Sequence, residues 1–259
     1  MAYDQESFQK GLAVGRILWK PPREIPKTQV LKFTVPGTSG TRMDIGPGLL
    51  WPGVHGIVKW GDGAEEEFSI PEEENYPMLS HPYYSSGPCQ VEIWYDSSSP
   101  YAYDGLFFDY FANTVVVSVD TPFPELFSEV TSFKEAFRAC TSLVRLPNRL
   151  FYYCRSILTV EDCFKYNHSL GQVPDDLFAY SPLIEDFSGC FEDSGITRVS
   201  PTLFNNCLNA DSFVDTFRDC YNLQEAPSLW TQFPDADGHS CFSGCTSASN
   251  YADIPSGWK

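Results

Sequence analysis

Four groups of residues have types and spacings that could do chemistry. His239, Cys241 and Cys245 put one imidazole and two thiols within seven positions, the donor types of a zinc site. Asp175–Asp176 and Glu185–Asp186 are carboxylate pairs, the raw material of general acid–base catalysis. Asp62 and His81 could form an acid–imidazole pair. The acidic runs "EEE" (65–67) and "PEEEN" (71–75) offer oxygen ligands of the kind Ca²⁺ takes. None of these is complete as a motif. No fourth ligand has zinc-site spacing, and the alternating acids of a calcium loop are missing. There is no Gly-x4-Gly-Lys-Ser/Thr phosphate loop and no Gly-x-Ser-x-Gly elbow. The expectation is a chain with no catalytic residue, no metal ligand and no cofactor, whose paired carboxylates are surface charge.

The nine cysteines carry a different message. Cys140, Cys190, Cys220 and Cys245 each follow a Phe by three residues, which marks a repeat position. Free Cys is a small, commonly buried hydrophobe, so a column of packed thiols is expected ahead of disulfides or metal ligation. The surrounding words recur: "FRACTSLVRLP" from Phe137, "FKYNHSLGQVP" from Phe164, "FSGCFEDSGITRVSP" from Phe187, "FRDCYNLQEAP" from Phe217 and "FSGCTSASNYADIP" from Phe242. A Leu-Phe word recurs at Leu150, Leu177 and Leu203. The Phe intervals are 27, 23, 30 and 25 residues. A period in the twenties signals stacked units that bury one continuous core, each internal Phe, Cys and Leu lying on its counterpart. In each unit a short helix or turn would carry Phe and Cys, and a short extended piece ending at Pro would follow.

Charge narrows the partners. The formal net charge is −17. Residues 1–29 hold five Lys/Arg against three Asp/Glu, and no Lys or Arg occurs from Trp60 to Val130. Such a field repels phosphate backbones, so no nucleic-acid partner is expected. No run of about eighteen apolar residues occurs, so no membrane insertion is expected. The first thirty residues lack the basic-then-apolar pattern of a signal peptide.

The elements that would position these residues fall into three segments: 1–27, 28–100 and 101–259. In the first, Phe8, Leu12 and Trp19 share a helical face within residues 4–19, ended by Pro21 and Pro22. "SFQKGLAVGR" resembles the N-terminal stretch of some phage and prophage tail-associated proteins of gut bacteria. In the second, "VLKFTV" (30–35) and "CQVEIWY" (89–95) alternate as strands do, and "WGDG" (60–63) reads as a tight turn. An acidic loop is expected after it. The words "WGDG" and "HPYYSSGPCQVEIW" resemble polycystic-kidney-disease-type immunoglobulin-like domains. That resemblance, which His81 also matches, implies that Trp60, Gly61, Asp62 and Gly63 form a structural turn and that Tyr83 packs. In the third, Phe-x-x-Cys-x-x-Leu with recurring Leu/Ile-Pro resembles the BspA-like leucine-rich repeats of surface and adhesion proteins. Asn167 and Ser181 depart from that pattern by replacing cysteines.

Together these readings predict a mixed architecture: an N-terminal helix, a small all-β immunoglobulin-like sandwich, then an α/β leucine-rich-repeat solenoid with an irregular C-terminal cap. The resemblances imply a non-enzymatic binding or adhesion protein, at a cell surface, that recognises a protein or glycan. Residues flanking the inward positions of the extended pieces form the expected binding row: Arg145, Gln172, Arg198 and Gln224. The alternative is a structural phage-tail or virion component, self-associating or assembling through residues 4–19. An enzyme on a repeat scaffold is the third reading.

Overall fold

The computed structural model describes residues 29–46, 48–72, 78–84, 87–96 and 115–259. Residues 4–19, where a helix was expected, lie outside the described residues. Among the described residues no helix is long and apolar enough to cross a membrane.

Alternation writes the first part of the fold. β1 (Val30–Val35) turns Leu31, Phe33 and Val35 inward, and β6 (Cys89–Tyr95) turns in Cys89, Val91, Ile93 and Tyr95. The two pair antiparallel with Phe33 opposite Val91 and Leu31 opposite Ile93, so both apolar rows reach one core. β3 (His55–Lys59) and β4 (Glu65–Ser69) make the hairpin around Gly61–Asp62–Gly63, and β3 also pairs with β6. β7 (Ser118–Val119) adds to the free edge of β1, giving the order β4-β3-β6-β1-β7. A second antiparallel sheet joins β2 (Arg42–Ile45) to β5 (Leu79–Pro82) and contributes Met43, Ile45 and Leu79 to the same core. The acidic run 65–67 is therefore strand β4 rather than a loop, with Lys59 opposite Glu65.

The mixed architecture of N-terminal helix, immunoglobulin-like sandwich and α/β leucine-rich-repeat solenoid is overturned. The regular secondary structure of the described residues is chiefly two antiparallel sheets, with one α-helix, α1, of four residues (Leu229–Gln232). From Asp120 onward the chain folds mainly into turns, three short 3-10 segments and one-residue bridges.

Backbone hydrogen bonding explains why no repeat becomes a helix. An α-helix needs each N–H to donate to the carbonyl four residues back. Here alternate N–H groups donate to the next tier: Phe133 to Thr159, Glu135 to Glu161, Phe137 to Cys163 and Ala139 to Lys165. The residues between fold back three positions, as Ala136 does to Phe133 and Cys140 to Phe137. Glu135 and Ala139 have φ of 57° and 55°, left-handed values that end a right-handed turn at once. The same two positions are left-handed at Asp162 and Tyr166, at Gly189 and Asp193, and at Asp215 and Asp219. Parallel bridges then link the tiers through Ser132, Thr159, Asp186, Ser212 and Asp237.

Side chains stack on this frame. Phe137, Phe164, Phe191, Phe217 and Phe242 form a column of near-parallel rings 5.2–5.6 Å apart. Phe123, Phe151, Phe178 and Phe204 form a second, at 5.9–6.0 Å. Each aromatic pair adds about 0.5–1.5 kcal/mol beyond its buried area. The ring between Phe164 and Phe217 is Phe191, not Phe187, so the intervals are 27, 27, 26 and 25 and the apparent 23 and 30 disappear. Phe187 instead stacks on Phe213, with an interplanar angle of 1°.

Candidate functional site

The expected binding row lies along a second ladder of the stack. Val144 N–H donates to Val117 O, and Arg145 bridges Ser118. Thr197 N–H donates to Gly171 O, and Arg198 bridges Gln172. Each row residue comes directly before a buried Leu146, Val173 or Val199, so alternation along the extended piece turns it outward. Arg145, Gln172 and Arg198 are thus register equivalents, and all three are exposed.

The fourth rung differs by one residue. Gln224 N–H donates to Thr197 O, which makes Gln224 the counterpart of Thr197. The counterpart of Arg198 is Glu225, two residues after buried Leu223. Matching Gln224 by type to Gln172 does not find Glu225. Gln224 is exposed and lies beside the row.

The rungs are held differently. Arg145 donates to Asp120 Oδ1 at 2.7 Å. Asp120 also accepts from Thr34 (2.7 Å) and Ser118 (2.8 Å), so the first rung is fastened to the five-stranded sheet. Arg198 is fastened to nothing. Every other described lysine and arginine has a carboxylate, ring or carbonyl partner; Arg198 has none. A surface depression of ≈ 440 Å³ opens beside it, lined by Thr197, Arg198, Pro201, Gln224, Glu225 and Ser228 among others. A second, apolar cleft of ≈ 380 Å³ lies where the sheet meets the stack, between Trp94, Pro122, Pro124 and Tyr153.

The Trp60–Gly63 group is a strut between the sheets. Asp62 Oδ1 accepts from the Ala64 N–H at 3.1 Å, and Oδ2 lies 2.8 Å from His81 Nε2 on β5. The His81 ring stacks on Trp60 at 4.8 Å, and the Tyr83 hydroxyl donates to Trp60 O at 2.9 Å. Burial alone would raise the Asp62 carboxyl; the hydrogen bonds from His81 and Ala64 outweigh it and hold the group below its ordinary value. Gly61 has φ of 84°, and a Cβ there would meet the Gln90 carbonyl at 2.4 Å, so the turn needs glycine.

The other candidates separate in space. All nine cysteines are buried, while His239 is exposed, so its ring and the Cys241 and Cys245 thiols do not share a surface. Among the described residues, no group of three or more His, Cys, Asp or Glu is placed to hold a metal ion. The cysteine column is Cys140, Asn167, Ser194, Cys220 and Cys245, each three residues after a stacked Phe. Cys190 belongs to a neighbouring column with Ala136, Cys163, Thr216 and Cys241, all directly before those rings. Residues 4–19, to which self-association or virion assembly was assigned, lie outside the described residues. No family model matches this sequence, and no curated protein or solved structure matches it.

Proposed function

We propose that this protein acts by binding, not by catalysis, and that the exposed ladder through Arg145, Gln172 and Arg198, continued by Glu225 with Gln224 beside it, is its recognition surface for a protein or glycan. The observation that carries this reading is the contrast between the two sides of one extended piece. Leu143, Leu170, Ile196 and Leu223 are fully buried, whereas the Gln172, Arg198 and Gln224 side chains make no hydrogen bond or ion pair among the described residues. Stability does not use these polar groups, so a ligand can. The tiers hold them on hydrogen-bonded rungs, which lowers the ordering cost of binding.

The titratable pair that could have suggested catalysis supports the same reading. His81 spends Nε2 on Asp62 and its ring face on Trp60, which is the work of a strut. The test is a glycan and protein array probed with the wild-type chain and a Gln172→Glu/Arg198→Glu variant. Both residues are exposed, so the variant should melt with the wild type and lose the array signal. An array profile unchanged by the double substitution sinks this assignment of the surface.

A further inference from the structure

The depression beside Arg198 deepens the binding reading and rests on it: we propose that it is a subsite for a saccharide bearing a single carboxylate, such as a uronic or sialic acid residue. Three observations converge there. First, Arg198 is the one described lysine or arginine without a partner, although Glu225 occupies the next rung. An unneutralised guanidinium offers the planar pair of N–H donors that a carboxylate accepts bidentately. Second, the rest of the lining suits sugar hydroxyls. Gln224 and Ser228 can each donate and accept, the Thr197 hydroxyl, which donates to Gly171 O, can accept, and Glu225 accepts from a hydroxyl. Pro201 and Pro227 add apolar surface for the C–H face of a ring.

Third, part of the backbone there is already spent. Thr197 N–H goes to Gly171, Gln224 N–H to Thr197, and Ser249 N–H to Gln224, while Pro201 and Pro227 have no N–H. An extended peptide adding as a strand would need those groups. With these N–H groups occupied or missing, the edge favours a compact polar ligand held by side chains over a peptide strand. The overall charge of −17 limits the ligand to little negative charge, because a polyanion would be repelled by the surrounding field.

The experiment titrates the full chain with glucuronate and with N-acetylneuraminate, followed by calorimetry and saturation-transfer NMR, with glucose and acetate as controls. At least one acidic sugar should bind at millimolar or tighter concentration, and glucose and acetate should each bind about tenfold more weakly or worse. Arg198→Gln should weaken the acidic sugar by about tenfold or more and leave the melting temperature unchanged. Absence of binding by both acidic sugars overturns the proposal. So does affinity no better than that of glucose or acetate, or affinity indifferent to Arg198→Gln. The two readings fail separately. An array signal that depends on the row, with no acidic-sugar binding, removes only the subsite. Acidic-sugar binding lost in Arg198→Gln, with an array profile indifferent to Gln172→Glu/Arg198→Glu, removes only the wider recognition surface.

Discussion

At the scale of single residues, the fold is governed by what each buried donor finds in the tier before it. The Cys220 thiol donates to Phe191 O at 3.0 Å, the Cys245 thiol to Phe217 O at 2.9 Å and the Thr216 hydroxyl to Phe187 O at 3.0 Å. Ser181 Oγ donates to Cys154 O at 2.9 Å. A small side chain with one donor fits these positions, which is why Cys, Ser and Thr exchange there. Asn167 does not conform. It is fully buried in the column of Cys140 and Cys220, and neither its amide nitrogen nor its oxygen has a hydrogen-bond partner. Leaving a buried polar group unpaired costs about 1–3 kcal/mol. Asn167→Cys should therefore stabilise the chain by about that amount, read as a higher urea midpoint at constant slope; a lower midpoint would show that the amide is satisfied. Asp62 supplies a second residue-scale prediction. Its folded carboxyl lies below the ordinary value of 3.8, so its contribution is present above that pH and is lost as pH falls through the folded value. Asp62→Asn should melt below the wild type near neutral pH, with the gap closing in acid. A gap constant from pH 7 to pH 2 would place the effect in packing and not in charge.

At the scale of elements, the thiols report whether the tiers are built as described. Burial pushes Cys220 up to about 11 and Cys207 up to about 12, and drives Cys154, Cys163, Cys190 and Cys241 well above their usual range. Thiolate is the reactive form. A thiol reagent should therefore find almost none of the nine in the folded chain and all nine in denaturant without reductant. Two or more missing after denaturation would mean bridges, and the thiol columns would be wrong. The sign with pH follows. Folded thiols stay protonated past the unfolded value of 9.0, so this part of the stability is whole below pH 9 and declines above it. How much of this could be read from the sequence depends on the element. Strands 30–35 and 89–95 were legible because strict alternation has one meaning when one face is buried. The column principle was legible from Phe-x-x-Cys. The register of the third tier was not: "FSGCFEDSG" offers two phenylalanines, and "FSGC" matches the word while Phe191 matches the geometry. The absence of helix was hidden as well, because left-handed Glu135, Ala139 and Tyr166 carry no glycine to announce them. In the binding row three rungs are readable by alternation; the fourth is not, because Gln224 also flanks an inward residue and only the inter-tier hydrogen bond from Gln224 to Thr197 shows that Glu225 holds the register.

At the scale of the whole molecule, the question is whether sheets and tiers stand or fall together. Stacked units with only nearest-neighbour contacts can unfold piecemeal. Here the first tier is joined to the sheets by backbone and core alike. Ser118 pairs with Thr34 of β1 on one side and bridges Arg145 of the stack on the other. Asp120 accepts from Thr34 and from Arg145. The aromatic core runs on without a break: Tyr95 lies against Trp51 and Phe127, Phe127 against Phe123, and Phe123 stacks on Phe151 at the head of a ring column. Phe127 is the hinge of that continuity and is fully buried. Its replacement by Ala should cost about 3–5 kcal/mol, since a ring-sized cavity cannot close between two packed bodies. If the junction couples them, calorimetry of the wild type will show one transition whose calorimetric and van't Hoff enthalpies agree. Phe127→Ala will then lower that one transition. With Trp230 and Trp258 of the tiers replaced by Phe, so that fluorescence reports the sheet tryptophans Trp51, Trp60 and Trp94 and not the tiers, the fluorescence and far-ultraviolet dichroism transitions will shift by the same number of degrees. A variant in which the fluorescence transition moves while the dichroism transition stays would mean that the tiers hold themselves up. The recognition ladder would then be an autonomous module carried on the sheets, not a surface whose rigidity they supply.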